Sequence, residues 1–195
     1  MEPSVIDYMY SLMREGIKLD LEVTREFNSM LGNPDRSFQS VHVAGSNGKG
    51  STSAFVYNIL QNSSKTGIYT SPHLVDFNER IVSGRNSIPD DYIEKFINDY
   101  RGKIESLRKK NRNPTFFELT TVLAFKYFQD TGCKYASVEV GLGGRLDSTN
   151  IISPMVSVIT QVGYEHAMKL GCSLTSIAFE KVSSVQRFYG RNIWN

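Results

Sequence analysis

Residues 41–55, VHVAGSNGKGSTSAF, combine the residue types that bind the phosphates of a nucleotide. Three glycines let a backbone approach a ligand closely, so that its N–H groups can point at bound phosphate. Lys49 adds a mobile positive charge, and Ser51 and Thr52 add hydroxyl groups of the kind that can coordinate Mg²⁺. The alternative, a tight strand-to-helix turn with a capping serine, would not need all these groups within eight residues. The stretch therefore predicts a phosphate-binding loop.

The spacing of this loop differs from the common phosphate-loop pattern, G-x-x-x-x-G-K-[ST]. Val43 stands where the first glycine is expected, and Gly50 separates Lys49 from Ser51. A P-loop kinase or GTPase remains a competing interpretation of the loop taken alone. The unusual spacing argues against it.

The elements around the loop alternate between strands and helices, which predicts an α/β fold with a mostly parallel sheet. Short apolar, β-branched runs predict strands over 38–43, 66–70, 135–140 and 155–160. Helical spacing of apolar residues predicts helices over 3–15, 20–31, 51–61, 89–110 and 115–130, and another from Ser173.

Composition narrows the class of protein. The 195 residues suffice for one good-sized α/β domain, or one domain and a fragment of another. Lys and Arg total 22 against 20 Asp and Glu, so charge favours neither a nucleic-acid nor a membrane partner. Cys133 and Cys172 form no C-x-x-C pair, which argues against a disulfide framework or a structural zinc site. No apolar run approaches the roughly 20 residues that are needed to cross a bilayer. The first residues lack the basic start of a signal peptide, so a cytoplasmic setting is expected.

The loop closely resembles the shortened form, G-[TS]-N-G-K-G-S, of the Mur ligase superfamily, and within it of the folylpolyglutamate synthase and dihydrofolate synthase family. Segments 16–34, 66–81, 115–128 and 138–152 agree with that family in the same order, and 158–181 agrees more weakly. The resemblance spans nearly all of residues 5–181. It implies a Rossmann-like P-loop domain, with helices on both faces of a mostly parallel sheet.

The activity implied by this resemblance is that of an ATP-dependent amide ligase. A carboxylate of folate or dihydropteroate attacks the γ-phosphate of ATP, and the amine of L-glutamate then attacks the acyl phosphate. Such chemistry depends on charge neutralisation and positioning more than on a protein nucleophile. The family's full-length form is expected to be a monomer. The alternative is a nucleotide-binding remnant without ligase activity, and the choice between folate and dihydropteroate stays open.

The resemblance also assigns ATP and Mg²⁺ to particular residues. ATP is expected to contact the loop residues Gly45, Ser46, Asn47, Gly48, Lys49, Gly50, Ser51 and Thr52. Magnesium ligands are expected to be Ser51 and Glu139 at one site and Ser71 and His166 at a second. Glu139 ends a predicted strand, where a side chain faces the ligand crevice of an α/β sheet. The family's Asp-His pair is Glu165-His166 in this chain.

Catalytic roles are implied for Lys49, His166 and Lys181, the last matching a lysine that is carbamylated in the superfamily. Taken alone, His166 reads as a surface histidine and Lys181 as a helix-terminal lysine. Substrate contacts are implied for His73, Arg80, Glu118, Arg145 and Asp147. Arg145 and Asp147 fit a structural ion pair equally well.

The final residues depart from the family pattern. Residues 1–181 are expected to form the Mur-ligase-type ATP-binding domain, whereas 182–195, VSSVQRFYGRNIWN, form a divergent tail. The family's smaller C-terminal domain is expected to be absent, which predicts an incomplete fold. A parallel sheet without its later strands would leave an edge and an apolar face uncovered.

Overall fold

The computed structural model describes residues 5, 8–9, 11–12, 16, 18–164 and 173–183. Its strands are β1 Gln39–Ala44, β2 Thr66–Tyr69, β3 Ile81–Ser83, β4 Asn86–Ser87, β5 Tyr135–Glu139 and β6 Val156–Ile159. Its helices are α1 Glu22–Met30, α2 Lys49–Gln61, α3 Asp90–Lys109, α4 Phe116–Asp130 and α5 Leu174–Val182. Short 3-10 turns lie at Pro34–Arg36, Phe77–Arg80 and Ser148–Ile151. Residues 5, 8, 9 and 11 are helical, within the predicted helix 3–15.

The strands form one sheet in the order β4-β3-β2-β5-β1-β6. Strands β2, β5, β1 and β6 are parallel, whereas β3 and β4 run antiparallel to their neighbours. The predicted mostly parallel sheet is therefore confirmed. Val43 pairs with both Glu139 and Val158, so the carboxyl ends of three adjacent strands meet at the same edge.

The antiparallel hairpin β3–β4 is the part of the sheet that the sequence did not predict. Its strands have only three and two residues, too few for an apolar alternation to be recognised. The hairpin extends the sheet beyond β2, because residues 67–69 pair with residues 81–83.

Helix α4 supplies much of the hydrophobic core. It begins with a capping box, in which Thr115 and Glu118 each satisfy a backbone N–H of the other. Leu119, Leu123 and Phe125 are all fully buried. Each such side chain contributes about 2 kcal/mol through burial of apolar surface. A helix that is apolar on nearly all sides can therefore hold the sheet and α1 together.

The outer side of β6 is a sheet edge within the described residues. Met155 and Val156 are 45% and 43% exposed there, and Phe55 and Ile59 on α2 are each 70% exposed. An uncovered edge and exposed apolar side chains are thus present in this part of the chain. None of the described helices is long and apolar enough to span a membrane. The expected divergent tail falls mostly on residues 184–195, which lie outside the described residues.

Candidate nucleotide and substrate site

Residues 45–50, termed the glycine loop, join the carboxyl end of β1 to helix α2. The helix begins at Lys49, two residues before the predicted start, and its N-cap is Gly48 in the left-handed conformation with φ of 80°. No side chain caps this helix. Its first-turn N–H groups and its dipole therefore provide the anion-binding end that the sequence predicted.

Lys49 is half-buried, and its Nζ donates to the carbonyl of Ser46 at 3.0 Å. The ammonium group thus lies against the loop that it is predicted to serve. Ser51 is exposed and Thr52 half-buried on the first turn of α2. The structure consequently brings together the backbone amides, the charge and the hydroxyls of the predicted phosphate site.

Glu139 lies at the carboxyl end of β5 and is only 5% exposed. Its Oε2 accepts from the backbone N–H of Ser71 at 3.1 Å, and a Cβ added at Gly50 would lie 3.6 Å from the same oxygen. Burial raises the pKa of Glu139. The hydrogen bond from the Ser71 amide and the positive charge of Lys49 oppose this rise. The carboxylate therefore lies beside the start of α2, next to a cation and a serine.

The oxygen donors near Glu139 suit Mg²⁺, which prefers oxygen ligands and keeps several waters. Among the described residues no group of three or more His, Cys, Asp and Glu side chains gathers at one point. Of the predicted ligands, Glu139 supplies a buried carboxylate beside the start of α2, the helix whose first turn carries Ser51. His166, with Glu165, lies outside the described residues.

Lys181 lies near the end of α5 and is only 2% exposed. Its Nζ donates to the carbonyl of Gly45 at 2.6 Å. The predicted lysine therefore reaches the glycine loop from a helix 136 residues further along the chain. Its side chain ties α5 to the start of that loop.

Arg145 forms a paired contact with Glu180, with its Nη2 3.0 Å from Oε1 and its Nε 3.2 Å from both carboxylate oxygens. The backbone N–H of Arg145 also donates to the carbonyl of Glu180 at 2.9 Å. Of the two interpretations left open by the sequence, the structure shows an ion pair, with Glu180 rather than Asp147 as the partner. This contact connects the loop after β5 to α5.

Asp147 is buried, and its carboxylate organises the loop in which it lies. It accepts from the backbone N–H groups of Leu142 at 2.8 Å and Thr149 at 3.0 Å, and from the Thr149 hydroxyl. Burial raises the pKa of Asp147, and these hydrogen bonds oppose the rise. The residue also lines the cavity described below.

Glu118, another predicted substrate contact, is 2% exposed and caps α4. Its Oε2 accepts from the N–H of Thr115 at 2.7 Å, and its Oε1 accepts from the hydroxyl of Thr24 at 3.4 Å. Burial raises the pKa of Glu118. The described contacts of this carboxylate are thus with the helix start and α1.

His73 and Arg80 contact each other in the loop after β2. The Nε of Arg80 donates to Nδ1 of His73 at 2.7 Å, and its guanidinium lies 5.4 Å from the ring centre of Phe116. Glu79 accepts from three consecutive backbone N–H groups, those of residues 74–76, and these bonds lower its pKa. The loop is therefore tightly hydrogen-bonded.

A cavity of about 260 Å³ opens where the loops after β2 and β5 meet the start of α4. Its walls include Ser71, Pro72, Phe117, Leu142 and Asp147. The ring of Phe117 stacks on the ring of Tyr69 at 6.0 Å. Leu142 lies in the loop 141–150, GLGGRLDSTN, which the family resemblance places at the ligand crevice, whereas Phe117 was not predicted. Phe117 is one of several aromatic residues in an apolar helix, so no local signal in the sequence distinguishes it as a cavity wall.

A strand, a glycine loop and an uncapped helix start, beside a buried carboxylate on the next strand, place the chain among α/β proteins with a phosphate loop. Within that class, the family profile of the Mur ligase middle domain matches residues 43–189. The chain belongs to this family.

Similar proteins agree with the resemblance seen in the sequence. The dihydrofolate synthase/folylpolyglutamate synthase of Bacillus subtilis is 36% identical over 182 residues, which are 92% of this chain and 42% of that protein. The apo form of FPGS from L. casei superposes with a TM-score of 0.87 at 35% identity, covering 94% of this chain and 46% of that one. FPGS in complex with AMPPCP and folate gives a TM-score of 0.83 at 35% identity, with the same coverage. The chain therefore spans less than half the length of these relatives.

Proposed function

We propose that this chain carries the ATP-binding part of an amide ligase that adds L-glutamate to folate or dihydropteroate. The position of Ser71 carries the proposal. Its backbone N–H binds Glu139 beside the glycine loop, and the same residue lines the cavity that would hold the acceptor. A phosphate site and an acceptor site that share a wall would place an acceptor carboxylate near a γ-phosphate.

ATP binding would use the ammonium group of Lys49 and the backbone amides at the start of α2. The Nζ of Lys49 would leave the carbonyl of Ser46 for the β- and γ-phosphate oxygens, and the first-turn amides of α2 would bind beside it. Lys49 and these amides would neutralise the charge on the leaving ADP as the acceptor carboxylate attacks the γ-phosphate. Attack by the glutamate amine on the acyl phosphate forms the amide and releases phosphate. Positioning and electrostatics account for such a reaction.

Magnesium would be held by Glu139 with Ser51, and by Ser71 with His166. When bound, the ion would neutralise phosphate charge. Burial raises the pKa of Glu139, and a bound cation would oppose this rise by favouring the ionised carboxylate.

The acceptor would occupy the cavity beside Phe117, whose ring could pack on an aromatic ligand. Within this proposal, Asp147 shapes the cavity wall, and His73 with Arg80 borders the acceptor side. Glu118 and Arg145 would act by holding α4 and α5 in place. Lys181 would contact the reacting region after carbamylation. A cytoplasmic setting and a monomeric full-length form stay predictions.

A ligation assay tests the proposal. The purified chain is incubated with ATP, Mg²⁺, L-glutamate and either dihydropteroate or a reduced folate, and the products are identified by mass spectrometry. ADP, phosphate and a product one glutamate heavier are expected, and Lys49→Ala should abolish all three.

The alternative is a nucleotide-binding remnant, with which the limited coverage of the relatives is compatible. It predicts that ATP binds without glutamate transfer under the same conditions. If the chain bound neither ATP nor an acceptor, both interpretations would be wrong.

A further inference from the structure

Residues 160–163, which follow β6, hold the glycine loop from behind. The N–H of Thr160 donates to the carbonyl of Ala44 at 2.9 Å, and the N–H of Ser46 donates to the carbonyl of Gln161 at 2.7 Å. Asn47 and Gln161 form an isolated antiparallel bridge. The hydroxyl of Ser46 donates to the carbonyl of Gly163 and accepts from the N–H of the same residue, both at 3.0 Å. The loop is therefore paired with this segment along its first half.

The side chain of Thr160 contacts two carbonyl groups at the glycine loop. Its Oγ1 lies 2.8 Å from the carbonyl oxygen of Asn47 and 3.2 Å from that of Ala44. Gly45 lies between these carbonyls with φ of 147°, and a Cβ added there would be 1.8 Å from Oγ1. The absence of a side chain at Gly45 is thus what allows the hydroxyl to reach both carbonyls.

A peptide unit is planar and trans, so its C=O and N–H point in opposite directions. The carbonyl of Asn47 shares its peptide unit with the N–H of Gly48. A hydroxyl that holds this carbonyl on the β6 side therefore turns the Gly48 N–H away from β6. That N–H belongs to the loop's anion-binding face, at the N-cap of α2.

We infer that Thr160 is a positioning residue for phosphate binding. Its hydroxyl fixes the Asn47–Gly48 peptide unit so that the Gly48 N–H is aimed at a phosphate before the nucleotide arrives. The inference rests on the proposed function, since it concerns how the same loop binds ATP. Thr160 itself touches no phosphate, and it acts through the orientation of the loop backbone.

Calorimetric titration of the whole chain with Mg²⁺ and AMPPCP tests this role. Thr160→Val removes the donor at nearly constant size, Thr160→Ala also removes bulk, and Thr160→Ser retains the hydroxyl. Loss of one hydrogen bond should weaken AMPPCP binding by roughly 3- to 10-fold in the first two variants. Thr160→Ser should restore most of the affinity. Ser157→Ala, on β6 three residues before Thr160 and with no described partner for its hydroxyl, is the matched control.

The amide NMR signal of Gly48 separates positioning from general stability. On addition of AMPPCP it should move downfield in the wild type and in Thr160→Ser, but not in Thr160→Val or Thr160→Ala. Wild-type affinity in both donor-free variants, together with the same downfield movement of the Gly48 signal as in the wild type, would overturn the inference.

Failure of the proposed function would look different. If the wild type bound no AMPPCP, the proposed ATP site would be wrong. The inference about Thr160 would then be tested by the chemical shift of the Gly48 amide without ligand, compared between variants. That signal should differ between Thr160→Ser and Thr160→Val if the hydroxyl orients the peptide, and agreement between them would overturn it.

Discussion

Glu118 and Glu139 are buried glutamates with different surroundings. Burial raises the pKa of both. The carboxylate of Glu118 binds the start of its own helix, whereas that of Glu139 faces the start of α2 and lies near Lys49. Residue type alone cannot distinguish these two roles. The partners of each carboxylate indicate that Glu118 stabilises the fold and that Glu139 is the metal-ligand candidate.

Glu118→Gln should change how stability depends on pH. Because the folded pKa of Glu118 is raised, its contribution to stability is present below the unfolded pKa and is lost as pH rises through the folded value. Gln can still accept from Thr115 but does not ionise. Denaturant unfolding should therefore show the variant gaining stability relative to the wild type as the pH rises above the unfolded pKa of a glutamate, about 4.3. A difference that stays constant, or falls, over this range would contradict the assignment.

Arg145 and Glu180 provide a second test at the residue scale. A half-exposed pair of this kind contributes about 0.5–1 kcal/mol, so Arg145→Gln, Glu180→Gln and the double variant should each unfold at similar denaturant concentrations. In the double-mutant cycle the second substitution should add little. If Arg145 also contacts substrate, Arg145→Gln will reduce ligation far more than Glu180→Gln, and the purely structural interpretation is then wrong.

At the scale of elements, three segments meet at the glycine loop and together fix its position. Strand β1 delivers the loop, α2 presents its amides, and the residues after β6 hold it from behind. Lys181 adds a contact from α5 to the same loop. A substitution in the loop should therefore disturb several elements at once.

Gly45→Ala tests this dependence. The new Cβ would collide with Thr160 in a backbone conformation that L residues rarely adopt, so the free energy of unfolding should fall by about 2 kcal/mol or more. Gly102→Ala is the matched control, because it lies in α3 with open space around it and should stabilise by about 0.5–1 kcal/mol. Chemical denaturation of the two variants measures both changes. Equal effects would contradict the close fit of Gly45 against Thr160.

The sequence predicted the elements of the main sheet well, because each is a continuous apolar run with clear ends. Strands expected over 38–43 and 135–140 are observed as Gln39–Ala44 and Tyr135–Glu139. Helix 115–130 is observed as Phe116–Asp130. The glycine loop was predicted because its chemistry is local. The Arg145–Glu180 pair and the contacts of Thr160 were not, since they join residues 35 and 113 or more positions apart.

At the scale of the whole molecule, the strand order brings the proposed phosphate and acceptor sites to one edge of the sheet. Strand β5 lies between β1 and β2, so Glu139 lies between the glycine loop and Ser71. The cavity begins immediately beyond Ser71. The two proposed sites share a wall at Ser71, but Phe117 lines the cavity away from the glycine loop, so a substitution there can test the acceptor site separately.

Phe117→Ala should separate the two sites. Loss of an aromatic wall should weaken binding of folate or dihydropteroate by about 10-fold, while AMPPCP affinity stays unchanged. Phe55→Ala, which removes an exposed ring on α2, is the control for altered surface apolarity. Calorimetric titration with each ligand provides the measurement. Parallel losses of both ligands would indicate a folding defect rather than a cavity wall.

Calorimetric titration with Mg²⁺ and AMPPCP tests the central claim, that residues 45–51 bind the phosphates of ATP, most directly. The wild type should bind one equivalent, and Lys49→Ala should bind roughly 10- to 100-fold more weakly, the loss expected for a charge-assisted hydrogen bond. Lys109→Ala, an exposed lysine at the end of α3, should match the wild type. No binding by the folded wild type, or equal binding by Lys49→Ala, would contradict the account.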